Sequence, residues 1–131
     1  MIKVYWENED QSIIRLDYSE PIESWDEYTS AVKESFAMIR TKPHKVHMIH
    51  NPGNTQMPGG NPFSIIGRLM DQLPANGGMI VMVIANPFAR RMMDLLLKIT
   101  IGAKNYYFVK ELDEAHNLIQ AQQKKEAAYD V

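Results

Sequence analysis

Three histidines, His44, His47 and His50, stand three residues apart in a chain that contains no cysteine. Any metal site would therefore have to be built from imidazole and carboxylate. The spacing argues against one. The run Lys45–His50 reads as a strand, and strand side chains alternate faces, so His44 and His50 share one face while His47 takes the other. His47 is expected to pack inside the fold; His50, at the strand end, is expected to serve the structure, with contact to a ligand at the rim as the alternative. Further on, Arg90 and Arg91 fall in the first turn of a helix, where an anion could use the helix N-terminus and a guanidinium. Pairing with Asp94, four and three residues on, is the simpler expectation.

Other catalytic arrangements are missing from the sequence. It has no GxSxG elbow, no GK[ST] phosphate loop and no GxGxxG turn. A receiver-type phosphorylation site needs an Asp at a strand end, and the strand ends here are His50-Asn51 and Ala85-Asn86. No enzyme activity, metal or cofactor is expected. The segment with room for a function is residues 51–61, NPGNTQMPGGN, dense in turn formers and longer than a plain connector. With it, the expected binding residues are His50, Asn51, Asn54, Met57, Asn61, Ser64, Asn86 and Arg90. Of the nine methionines, Met57, alone in this exposed loop, is the one expected to contact a partner. Met70, Met79, Met82, Met92 and Met93 are expected to pack together.

These residues are positioned around Gly78–Arg91, GMIVMVIANPFARR. Seven apolar residues from Met79 to Ala85, without polar alternation, predict a strand covered on both faces. Asn86 suits the cap of the following helix and Pro87 its first position, and Gly102 suits its left-handed terminator. Asn61-Pro62-Phe63 is expected to open an earlier helix by the same chemistry. Ile2–Trp6 and Ser12–Tyr18, joined by Glu7-Asn8-Glu9-Asp10, predict an antiparallel hairpin. Ser24-Trp25-Asp26-Glu27 predicts a capping box for a helix whose Trp25, Tyr28, Val32, Phe36 and Ile39 form one stripe. Tyr106–Val109 predicts the last strand. Leu112, Ala115, Leu118 and Ile119 form the inner face of the last helix, with a polar tail from about residue 120 expected to fray. The result is a single α/β domain over residues 1–131, β-β-α-β-α-β-α-β-α, with a mostly parallel sheet and an antiparallel edge.

This order, with WDEYTSAVKESFAMIR, KVHMIHN and the closing YYFVKELDEAHNLI, resembles STAS-like domains, the fold of anti-sigma-factor antagonists, and looks like a bacterial subgroup of them. The resemblance implies a non-enzymatic regulatory or protein-interaction module. It also implies a switch hydroxyl at the start of the helix after the third strand, within Asp-Ser/Thr-Ser-Gly. This chain has Asn61-Pro62-Phe63-Ser64-Ile65 there, so only the hydroxyl of Ser64 matches, and the usual phospho-switch is not expected. The alternative function is binding of an apolar or anionic small molecule at the strand rim near His50, Asn54 and Arg90.

Composition narrows the partners. With 45% hydrophobic and 23% charged residues and a net charge of −2, the chain reads as an ordinary globular protein and not as a nucleic-acid binder. No apolar run approaches the ~20 residues of a membrane span, and the absence of a leader pattern predicts a cytoplasmic protein. Charge is unevenly spread: residues 1–28 hold two basic and eight acidic side chains, residues 29–110 ten basic and three acidic. Such opposite surfaces suit solvation, or association with a protein partner or a second copy as a homodimer.

Overall fold

A short polar connection can join only antiparallel neighbours, whereas parallel neighbours need a crossover, and this chain uses each once its sequence allows. The computed structural model describes residues 1–102 and 105–129. Strands β1 (Ile2–Trp6) and β2 (Ile13–Tyr18) form the antiparallel hairpin, with Ile2 opposite Tyr18 and Trp6 opposite Ile14. Asn8 shapes the turn, because its Oδ1 accepts from the amides of Ser12 and Ile13 at 3.2 and 3.1 Å. Helix α1 (Trp25–Arg40) leads to β3 (Val46–Asn51), and α2 (Phe63–Met70) leads to β4 (Gly77–Val83). Helix α3 (Pro87–Ile101) leads to β5 (Tyr106–Val109), and α4 (Leu112–Tyr129) follows. The sheet order is β1-β2-β3-β4-β5, parallel from β2 onward. This is the α/β architecture with an antiparallel edge that the sequence predicts.

The alternation of strand side chains divides the core in two. Ile14, Leu16 and Tyr18 of β2, Val46 and Met48 of β3, and Ile80 of β4 face α1, α2 and α3, where Phe36, Ile39, Ile66, Leu69 and Leu97 pack on them. Ile13, Ile49, Met79, Val81, Val83 and Val109 face the other way, beneath Ala115 and Ile119 of α4. Each fully buried aliphatic side chain contributes about 1.5–3 kcal/mol. One helix about 10 Å wide cannot cover five strands spaced about 4.8 Å apart. The β1–β2 part of that second face is accordingly polar: Arg15 bridges Glu7 and Asp17 at 2.7 and 2.9 Å, and His116 of α4 reaches Glu7 at 2.7 Å.

Local expectations fail where a distant group competes. Ser24 occupies the N-cap of α1 but makes no side-chain cap. Glu27, expected to complete the capping box, instead pairs with the amino group of Met1 at 3.2 Å. Asn86 caps α3 as expected, accepting from Ala89 N at 3.0 Å, and Gly102 ends it at φ 60°. Asn61 behaves differently: it accepts from Phe63 N at 2.9 Å, and Pro62 takes the N-cap. The last helix, including the polar stretch from about residue 120, runs to Tyr129; Asp130 and Val131 lie outside the described residues. Its polar second half is held because Gln123 donates to Ser12 Oγ at 3.1 Å and Glu126 reaches His47. No helix among the described residues is long and apolar enough to cross a membrane.

Candidate functional site: an apolar cavity at the strand rim

In parallel sheets the carboxyl ends of the strands form a rim where connecting loops can enclose a ligand. Here β2 ends in Tyr18, β3 in Asn51 and β4 in Val83, and the 51–61 loop folds across them. Three contacts tie the loop down. Trp25 Nε1 donates to Gly59 O at 2.8 Å, Ile22 N to Gln56 O at 2.8 Å, and Thr55 Oγ1 to Tyr18 O at 3.2 Å. Gly53 and Gly60 take φ of 58° and 98°, values that side chains rarely tolerate.

Beneath the loop lies a cavity of about 400 Å³, within the usual range of small-molecule sites. Its walls are Tyr18, Trp25 and Tyr28 on one side and Ile66, Met82, Ile84, Ala89 and Met93 on the other, with Met57, Pro52 and Pro58 of the loop and the N-cap Pro62 above. Among the described residues no charged side chain lines it. Three of the four polar side chains of the wall are hydrogen-bonded within the protein. Tyr18 Oη and His50 Nδ1 share a hydrogen bond of 2.8 Å, Trp25 and Thr55 hold the loop, and the Tyr28 hydroxyl adjoins that of Tyr106.

Ionisation follows the same logic. Burial disfavours charge, pushing the imidazole of His50 down to about 4 and the Tyr28 hydroxyl up to about 12. Burial also raises the Tyr18 hydroxyl well above its ordinary value. At neutral pH the wall and the groups behind it are uncharged.

Only part of the expected site converges here. Met57 lines the cavity and packs on the core, and so is not the freely exposed loop residue its position suggests. His50 stands behind the wall, almost fully buried, in contact with Tyr18 and near the ring of Tyr28. It is a supporting residue and does not reach the rim surface. Asn51 points to the opposite face, toward Asp17 at 3.5 Å. Asn54 is exposed at the loop tip. Asn61 and the exposed Ser64 border a separate open groove with Arg68, Asp71 and Thr100.

Asn86 and Arg90 are taken up by structure. Arg90 does not pair with Asp94. Its guanidinium donates to the carbonyls of Ile84 and Ala85 at 2.9 and 3.3 Å. Those carbonyls lie just past the end of β4 and need donors. Asp94 pairs with Lys98 at 3.1 Å instead.

The residues that build the wall, Tyr18, Trp25, Tyr28, Ile66, Met82 and Met93, carry only the ordinary pattern of core positions in the sequence. The one local signal is that two aromatic residues, Trp25 and Tyr28, begin a helix that follows directly from an aromatic strand end. The other hollows carry charged side chains, among them one between α3 and β5 lined by Arg90, Arg91, Asp94 and Lys98 and one bordered by Asp10, His44, Gln123 and Glu126 at the opposite end of the sheet. Among the described residues no group of three or more His, Asp and Glu is placed to hold a metal ion. His47 and His50 emerge on opposite faces, toward Glu126 and toward Tyr18.

Comparison with protein-family models, curated proteins and solved structures finds no match to this chain. The functional reading therefore rests on the geometry of its own residues.

Proposed function

We propose that this chain is a non-enzymatic binding protein for a neutral, largely hydrocarbon small molecule, held under the 51–61 loop. The observation that carries the reading is the 400 Å³ cavity walled by aromatic, thioether and aliphatic groups with no charged side chain. Apolar burial supplies the affinity, at about 25 cal/mol per Å² of apolar surface. An ion entering the site would lose its hydration without gaining a counter-charge, which favours the apolar over the anionic version of the ligand.

The test uses N-phenyl-1-naphthylamine, a neutral fluorescent probe. Its emission is expected to rise on addition of the protein, and the melting temperature to rise with it. Saturation at a hundredfold excess over the dissociation constant corresponds to about 2.7 kcal/mol. Native mass spectrometry of freshly purified protein is expected to show mass in excess of 15.1 kDa. No probe binding together with a bare mass overturns the reading.

A second reading, a STAS-like regulatory module with a protein partner, gains from the position of Ser64, although the Asp and Gly of the usual switch pattern are missing around it. It is exposed in the first turn of α2, where the resemblance puts a switch hydroxyl. A phosphate there would gain from the helix N-terminus. Under this reading Ser64→Asp changes capture of a protein partner while probe binding stays as it was. Equal capture by Ser64→Asp and Ser64→Ala removes the switch.

A further inference from the structure

Helix α3 is apolar around more of its circumference than its own fold covers. Its inner side gives Leu97 to the core and Ala89 and Met93 to the cavity. On its outer side Phe88, Met92, Leu95 and Ile99 are 73, 39, 53 and 70% exposed. Their spacing of four, three and four residues sets them on a single stripe, as in a coiled-coil seam. The stripe presents on the order of 400 Å² of contiguous apolar surface, the size at which patches mark interaction sites. A helix apolar on both sides belongs inside an assembly.

The geometry points to a second copy of this chain as the occupant, with its α3 packed antiparallel across a two-fold axis. The spacing carries the argument: four-three-four reads the same from either end, so an isologous contact is self-complementary. One rotation sets Phe88 against Ile99 of the partner subunit and Met92 against Leu95 of the partner subunit, large side chain facing large side chain at both levels. Two stripes with their flanks bury roughly 1,000 Å² in total, the scale of a weak, reversible dimer. The contact lies beside β5, an edge strand of four residues, and a second copy there also shelters that edge.

Charge sets the expected salt response. Arg91 and Lys98 border the same side of the stripe, and the two-fold axis brings Arg91 close to Lys98 of the partner subunit. Asp94, 3.1 Å from Lys98, offsets only part of this. The remaining like charges repel, so self-association strengthens as salt screens them. Docking on an acidic protein or an anionic bilayer would weaken instead.

Sedimentation velocity of the full chain across a wide concentration range tests the proposal. The mass is expected to climb from 15.1 kDa toward twice that value, at lower concentration in high salt. Leu95→Glu is expected to remain monomeric with an unchanged melting temperature. The chain has no cysteine, so single cysteines report the orientation. Oxidising a mixture of Phe88→Cys and Ile99→Cys gives cross-linked dimer, while Phe88→Cys alone does not, its two copies being roughly 16 Å apart along the axis. A monomer at every concentration and salt overturns the proposal, as do a dimer that survives Leu95→Glu and self-cross-linking of Phe88→Cys. Stripe-dependent binding to phosphatidylglycerol vesicles by a chain that stays monomeric assigns the stripe to a bilayer and also overturns it.

Discussion

His47 Nε2 lies 3.1 Å from Glu126 Oε1, joining the middle of the sheet to the far end of α4. The other ring nitrogen, Nδ1, accepts from Met79 N at 2.9 Å, so the neutral ring carries its proton on Nε2, toward the carboxylate. Both atoms of the contact are buried, and neither has a well-aligned hydrogen bond, so the attraction is mainly that of a carboxylate for the N–H dipole. Burial lowers the affinity of His47 for a second proton more than Glu126 raises it. The contact gives a polar helix end a reason to stay on the sheet.

Removing the carboxylate should release that end. Glu126→Ala is expected to destabilise the protein by about 1–2 kcal/mol and to loosen residues 120–129 before the rest. Amide exchange checks this: faster exchange in that segment is expected, with the sheet amides still protected. Uniform exchange in variant and parent would remove the anchoring role.

Gly78 stands where only glycine fits. A Cβ there would lie 2.3 Å from His47 Nδ1 and 2.5 Å from Cε1, inside van der Waals contact on a ring already held on both sides. Gly78→Ala must shift the ring or the strand, and a loss of about 1–3 kcal/mol is expected from overpacking. A urea titration reads it as a lower midpoint with an unchanged slope. Wild-type stability would mean that the ring yields freely.

His50 predicts an acid-sensitive fold. Its pKa falls from 6.5 in the unfolded chain to about 4 in the folded one, so between those values the unfolded state binds the extra proton. Stability therefore rises with pH across that window: it is fully present above about 6.5 and is lost as pH falls toward 4. The contribution is up to about 3 kcal/mol. His50→Gln keeps a partner for Tyr18 without the titration, and its melting temperature is expected to fall less from pH 7 to pH 4. Parallel curves for the two proteins would dismiss His50 as the cause.

Trp25 is both wall and latch. Trp25→Phe keeps most of the aromatic surface but loses the 2.8 Å bond to Gly59 O. The expected cost in stability is about 0.5–1.5 kcal/mol. The larger effect is expected in dissociation of the neutral probe, which should quicken because the loop opens more easily. Stopped-flow displacement measures it, and an unchanged off-rate would show that the loop does not gate the cavity.

The sequence by itself determined the elements and their order. Strand alternation at Ile14, Leu16 and Tyr18, the helical stripe from Trp25 to Ile39, the Asn86 cap and the left-handed Gly102 are each written within a few neighbouring residues. Right-handed crossovers then leave little freedom in joining such elements into a sheet. It also set His47 and His50 on opposite faces, because a strand's period of two is a local fact.

Only the tertiary structure decided the rest, since it depends on contacts between segments far apart in the chain. The cavity is closed by Met57 but walled by Tyr18, Trp25, Tyr28 and Met93, each of which looks like a core residue in its own segment. Glu27 and Arg90 left their expected local partners for a chain terminus and for free strand-end carbonyls. The polar end of α4 stayed helical because His47 waited for it on the sheet. A side chain's nearest neighbours in sequence set its direction, but the free energy of its contacts is settled by whichever distant group packing brings within reach.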